Sequence, residues 1–481
     1  MVDLIPERHE ILNTASPIAG LPIEILSAVF HEVQRIRKAT GRPLIPHVEI
    51  TLSHVCSHWR AVLLSLPSMW CVFQHSLPWN GPARHTKERL AAYLERSGEH
   101  PFDLWMDFKT EEPLYHRLLF PLLEIALPHL HRFRVLHLLS DFFHPLEEFR
   151  KKLASTSAPL LEICAICPDS HETPEFKLEL DSLTADDANI FQSGAPSLKY
   201  LRLDETSLFT MRLPLDTVVH LRIERRQMQF SIWIPNTIFD EILSLPNLET
   251  LSLSGALFEL QRQQGSTPKE TIRADKLKHF RSGNTHITIY TLSHVLAPSL
   301  ESITISGVDS VNQGDQPSIP DHVAFPSLRI IAFTRVRSDI PRHGPNLQKL
   351  MASTENVEEL LFWGKTGHRD ITEDAFRALW ESNRAPSYWK KIRKATLNIP
   401  FSSPEEMLLY HLFIAAKPKL EVVRVPPRCL QLPTFLQGVP PHIDLRAIDD
   451  SEPPLPLCWT AGPDWLDTEE DPFLSNCQVF R

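Results

Sequence analysis

Glycine is scarce in this chain, 15 residues against 41 prolines in a total of 481. The signatures GxGxxG and GxSxG are both absent, and so is the zinc-binding HExxH. No spacing of acids, histidines or nucleophiles implies catalytic work, so the sequence predicts a non-enzyme with no cofactor and no metal. A basic excess is lacking too: 59 acidic residues outweigh 49 basic ones, for a net charge of -10. That balance argues against a general nucleic-acid binder. No apolar run reaches the roughly 20 residues that span a bilayer, and Met1–Ser16 contains no apolar signal core. The 7 cysteines are odd in number and irregularly spaced, which excludes a disulfide framework. A soluble protein of a reducing compartment, cytoplasmic and/or nuclear, is expected.

What is present is apolar residue in quantity, 42%, enough for a substantial core. The length suits two or three domains, or one domain with a repeat array. The surplus of proline suits a chain that turns often and stiffly. Near the start, Leu21, Ile25, Val29 and Val33 recur every fourth residue, with Leu26 and Phe30 widening the stripe. Pro22 falls in the first turn of that helix, where it is tolerated, and Glu24 sits near its positive end. Leu52, Val55, Cys56, Trp59, Val62, Leu63 and Leu66 then predict a second helix that ends at Pro67. Two helices this small cannot bury an internal core and every remaining apolar residue as well, so part of the surface is expected to meet a partner.

The identities add to the periodicity. Leu21-Pro22-Ile23-Glu24-Ile25-Leu26 runs on to Phe30. Leu52-Ser53-His54-Val55-Cys56-Ser57-His58-Trp59-Arg60 leads to Leu66-Pro67-Ser68-Met69-Trp70. This ordered set, over residues 17–75, resembles the F-box as it occurs in the large F-box families of mushroom-forming fungi, with Met69 where leucine is usual. The resemblance implies docking onto the adaptor Skp1 and, through it, a cullin. The positions that match the motif are Leu21, Pro22, Ile25, Leu26, Phe30, Val55, Trp59 and Trp70, some of them module core and some interface.

Beyond this segment one phrase recurs. Leu198-Lys199-Tyr200-Leu201-Arg202-Leu203 is matched from Leu248, Leu300, Leu328 and Leu420, and more loosely from Phe133, Leu161, Val218, Leu277, Val357 and Lys394. Its last part alternates as a strand does, and a proline usually stands two residues before its first leucine, read as the end of a preceding helix. Helices are predicted over Phe239–Leu243, Leu292–Leu296, Phe376–Trp380 and Met407–Ala416. Units of helix, turn and strand at 20–40-residue spacing point to a solenoid whose members share a core. The phrase resembles the leucine-rich repeat without its asparagine ladder. An ordinary α/β domain with a parallel sheet is the rival reading.

The expected fold class is thus α+β: a small all-α F-box-like module (17–75) after a tail (1–16), then an irregular α/β leucine-rich-repeat solenoid (76–430). Arg89–Arg96, Ser97-Gly98 and Phe102–Met106 read as helix, stop and strand of its first, capping unit. Residues 431–481, rich in proline and acid, form either a flexible tail or a cap. The resemblance implies a substrate-recognition adaptor of a Skp1–cullin–F-box ubiquitin ligase, with an unknown target protein and no nucleic acid or membrane as partner. The alternative is a repeat scaffold with no ligase role.

Three smaller patterns stand out. Trp363-Gly364-Lys365-Thr366 lacks the glycine a phosphate loop needs, since Glu359 stands there. Cys164 and Cys167 have redox or metal spacing but no second pair. His54 and His58 read as a solvated helix face. Finally, the middle residues of the repeated LxL are expected on the open face of the sheet. Arg202, Arg222, Arg281 and Arg424 are among them, an arrangement suited to an acidic or phosphorylated target segment.

Overall fold

The computed structural model describes residues 17–39, 47–76, 83–108, 116–140, 150–168, 189–204, 207–224, 234–254, 258–259, 271–283, 285–306, 325–334, 354–363, 389–398 and 404–449. They divide into two compact units. One takes in the chain to Tyr200 with Thr206–Pro214, the other Leu201–Glu205 with Leu215–Trp459.

In the first unit, helices Ile23–Ala39, Val48–Ser53 and Ser57–Leu64 precede a parallel sheet of strands Val72–Ser76, Phe102–Phe108, Phe133–Ser140 and Ile163–Pro168. In the second, strands Tyr200–Asp204, His220–Glu224, Thr250–Ser254, His279–Ser282, Ser302–Ser306, Ile330–Thr334, Glu359–Trp363, Lys394–Asn398, Val422–Val425 and Asp444–Ala447 follow one another. Spatial order equals sequence order in both units. A doubly wound α/β domain reverses strand order at a switch point; among the described strands there is none, and the arrangement is solenoid-like. Every copy of the repeated phrase forms a strand, and Ala83–Arg96, Gly98 (φ +54°) and Phe102–Phe108 supply the expected helix, stop and strand.

The register explains the phrase. Leu201, Leu221, Leu251, Phe280, Ile303, Ile331, Leu360, Ala395 and Val423 are all buried, and from Leu221 to Val423 they stand opposite one another on adjacent strands. The prolines have a more local role than ending a helix. The N–H of Leu198 donates to Ala195 O (3.1 Å), Leu300 to Ala297 O (3.2 Å), Leu328 to Phe325 O (3.1 Å) and Leu420 to Lys417 O (3.1 Å). Each proline is therefore the second residue of a β-turn, where its fixed φ is already correct. The turn's first residue points into the core: Ala195, Ala297 and Phe325 are buried. Lys417 takes the same place in its repeat, and burial pushes its amine down to about 8.

In place of an asparagine ladder, the second unit carries an ionic one. Glu249, Lys278, Glu301, Arg329, Glu358, Arg393 and Glu421 stand immediately before successive strands, and each N–H after the first donates to the carbonyl of the one before it. Their side chains alternate in sign. Lys278 Nζ lies 2.9 Å from Glu249, while Arg329–Glu358 and Arg393–Glu421 approach to 3.9 Å. Each exposed pair is worth little, yet slippage by one repeat would set like charges side by side. Lys278→Glu, placed between two glutamates, is expected to cost about 1 kcal/mol more than Lys278→Ala. Urea melts at low salt measure this, and the difference should shrink at 1 M salt. Equal melting of the two variants at low salt would show that the alternation sets nothing.

Several expectations are corrected. The second helix is two, Val48–Ser53 and Ser57–Leu64, because Cys56 is extended (φ -158°, ψ 170°) and its Sγ accepts the Trp59 N–H at 3.4 Å as an N-cap. His54 and His58 therefore do not share a helix. The helix expected to reach Leu296 ends at His294, and Val295–Leu296 pairs with Ile272–Arg273 instead. After Gln431 come a helix, Pro433–Gln437, and the strand Asp444–Ala447, which pairs with Val422–Val425. The copy of the phrase read from Lys394 would make Asn398 its middle residue, but Thr396 is the residue opposite Leu361. The segments 364–366 and 376–380 lie outside the described residues.

Candidate functional site

Helix Ile23–Ala39 starts at Pro22, whose carbonyl accepts from Ile25 (3.0 Å) and Leu26 (3.1 Å). It carries two apolar stripes. Leu26 (1% exposed) and Phe30 (0%) turn inward, and the Phe30 ring meets Trp59 edge-on at 5.0 Å. Ile25 (49%) and Val29 (43%), one turn apart, face solvent, as does Ile23. Val55, in the break that Cys56 makes, is 56% exposed. Leu21 and Trp59 are half-buried and Pro22 is exposed. The matched positions therefore divide. Leu26, Phe30 and Trp70 are core, while Pro22, Ile25 and Val55 stand open, with Leu21 and Trp59 between. A single repeating period could not separate the two stripes, because both satisfy helical spacing.

Trp70 is buried because it joins the helices to the first repeat. Its Nε1 donates to Leu63 O (2.9 Å), Tyr93 stands edge-on at 5.2 Å, and the Arg96 guanidinium lies 4.4 Å over its ring. Beside it lies a polar network that sequence reasoning missed. Arg89 Nη1 donates to His47 Nε2 at 2.6 Å, and its Nη2 donates to Gln74 O at 2.9 Å. A guanidinium can only donate, so the proton of His47 sits on Nδ1, 3.4 Å from the Glu49 carboxylate. Tyr93 donates its hydroxyl to the same carboxylate. Burial raises the Glu49 carboxyl, but His47 and Tyr93 outweigh it and hold the group below its usual range.

His75, on the neighbouring strand, is pushed down to about 4 by burial and then by the facing charge of Arg89. It is neutral in the fold and takes up a proton near 6.5 once unfolded. Its contribution to stability is full above pH 6.5 and is lost as pH falls toward 4, at most about 3 kcal/mol. Glu49, depressed in the fold, loses its contribution in the same direction. Urea midpoints between pH 7 and pH 4.5 should fall for wild type and fall less for His75→Phe; equal slopes would rule the histidine out.

The arginine row is corrected. Arg202, Arg222 and Arg281 are buried, not open, and Arg424 is half-buried. Arg202 Nη2 donates to Glu224 Oε2 at 2.8 Å, and Arg222 Nε donates to the other oxygen of the same carboxylate. Glu224 stands two residues beyond Arg222 on the same strand and hence on the same face. A reading of the middle residue alone stopped one position short of this acid. Cys164 and Cys167 are both buried and lie three apart on one strand, so they face opposite sides of the sheet and cannot act as a pair. Burial, with Cys167 adding to it, pushes the Cys164 thiol well up. Among the described residues no helix is long and apolar enough to cross a membrane.

No family model matches the chain, and no curated protein matches it. Among solved structures, a crystal structure of a protein from Bacteroides fragilis is similar over 59% of this chain and 70% of its own, at 11% identity and a TM-score of 0.24. A likeness so slight bears on neither fold nor function.

Proposed function

We propose that this chain is the substrate-recognition adaptor of a Skp1–cullin–F-box type ubiquitin ligase. Its N-terminal helices hold Skp1, and its irregular leucine-rich repeats hold a target protein. The observation that supports this most is the division of the first helix. Leu26 and Phe30 complete an internal core, yet Ile25 and Val55, both positions of the F-box-like motif, remain in solvent, with Val29 beside Ile25 also open. Isolated apolar side chains on a surface need no explanation. Several of them within one short ordered motif suit a docking face. The protein then works as a bridge, and its activity depends on apolar contact area rather than on a reactive group.

The test is co-expression of the full chain with Skp1 and the cullin. Capture of both supports the ligase adaptor. Skp1 alone points to the scaffold reading, and neither partner overturns the docking assignment.

A further inference from the structure

We propose that the first repeat positions the N-terminal helices: Tyr93, Arg89 and Arg96 on helix Ala83–Arg96 hold them, with their exposed apolar face, through Glu49, His47 and Trp70. This goes beyond the docking reading and does not depend on it. The sequence pattern places a seam at residues 75/76, but the physical core runs across that point. Glu49 (4% exposed) belongs to the helical segment, and two of its partners are His47 beside it and Tyr93 on the repeat helix. Trp70 (2%) has Arg96 over its ring and Tyr93 at its edge. Tyr93 (1%) also stands edge-on to Phe73 at 5.5 Å, and Arg89 lies 4.7 Å over that same ring.

Such a cluster has one low-energy arrangement. A buried carboxylate that loses a donor retains its desolvation cost, so small rotations of the helices against the repeat are opposed at once. The aromatic rings need their edge-to-face geometry, which penalises sliding as well. Helix Val48–Ser53 has six residues, too short to be stable without tertiary support. It and helix Ser57–Leu64 should therefore open together with the repeat helix as one cooperative unit. Whatever the exposed face binds is then held at a fixed angle to the first strands.

Native-state hydrogen exchange on the full chain tests this. Tyr93→Phe keeps the ring contacts and removes the donor to Glu49. Amides of Val48–Ser53 and Ser57–Leu64 are expected to exchange roughly tenfold faster, with strands of the second unit unchanged. Tyr93→Phe/Glu49→Gln removes the buried charge that Tyr93 served while leaving His47 an acceptor, and should return exchange part of the way to wild type. If Tyr93→Phe speeds exchange only in Ala83–Arg96, the helices stand without the repeat and the proposal fails. If the double variant exchanges as fast as the single one, the bond is not the coupling and the proposal fails equally.

Discussion

Glu224→Ala is expected to destabilise the second unit by about 3–5 kcal/mol. The loss is large because two buried arginines share one acid. Arg202, Arg222 and Glu224 are each no more than 5% exposed, and the carboxylate receives a donor on each oxygen. Removing it takes the shared carboxylate from two buried guanidiniums, whose desolvation cost remains. Against a typical total of 5–15 kcal/mol, one such change can unfold the unit. Glu224→Gln keeps an acceptor and should cost distinctly less. The triple exchange Arg202→Met/Arg222→Met/Glu224→Leu replaces all three charged side chains by apolar ones and should cost less than Glu224→Ala, as apolar replacement of a buried pair often does. Urea unfolding of the three variants decides the matter. A cost below about 1 kcal/mol for Glu224→Ala would mean that the three side chains reach water and pair only weakly.

The second large effect concerns binding without stability. Ile25→Glu/Val29→Glu should abolish Skp1 capture while leaving the melting midpoint nearly where it was. Both side chains are in solvent, and exposed substitutions usually change stability by less than about 0.5 kcal/mol each. A central anchor of an interface contributes ~2 kcal/mol or more, so affinity should drop at least thirtyfold at each position. Leu26→Ala and Phe30→Ala provide the contrast. They empty the core and should cost roughly 2–5 kcal/mol of stability, and capture is then lost together with the fold. Retained capture by the folded double-glutamate variant would remove the exposed stripe from the interface and with it the main support for the docking reading.

The sequence was legible wherever one residue's type is set by its own repeat. An LxxLxL phrase buries its leucines whatever its neighbours are, because alternation alone places them on one face, and every copy became a strand. The turn prolines were visible as well, although they serve as second residues of β-turns. The strand order also followed, since a phrase repeated at short spacing leaves each strand no nearer partner than the preceding one.

Other features were hidden because they belong to relations between distant residues. Nothing local says that Tyr93 meets Glu49 across 44 positions, or that Arg202 and Arg222 share Glu224 and are therefore not an open basic face. The break at Cys56 depends on a cap geometry that helical periodicity overrides in any window. The sequence alone thus determined the repeat and the presence of an apolar helical head, because side-chain periodicity and turn chemistry act within a few residues. Tertiary structure alone decided which apolar residues of that head stay in solvent and which charges are spent inside the fold. Burial and pairing are properties of a side chain's surroundings, and those are assembled from parts of the chain that carry no mark of one another.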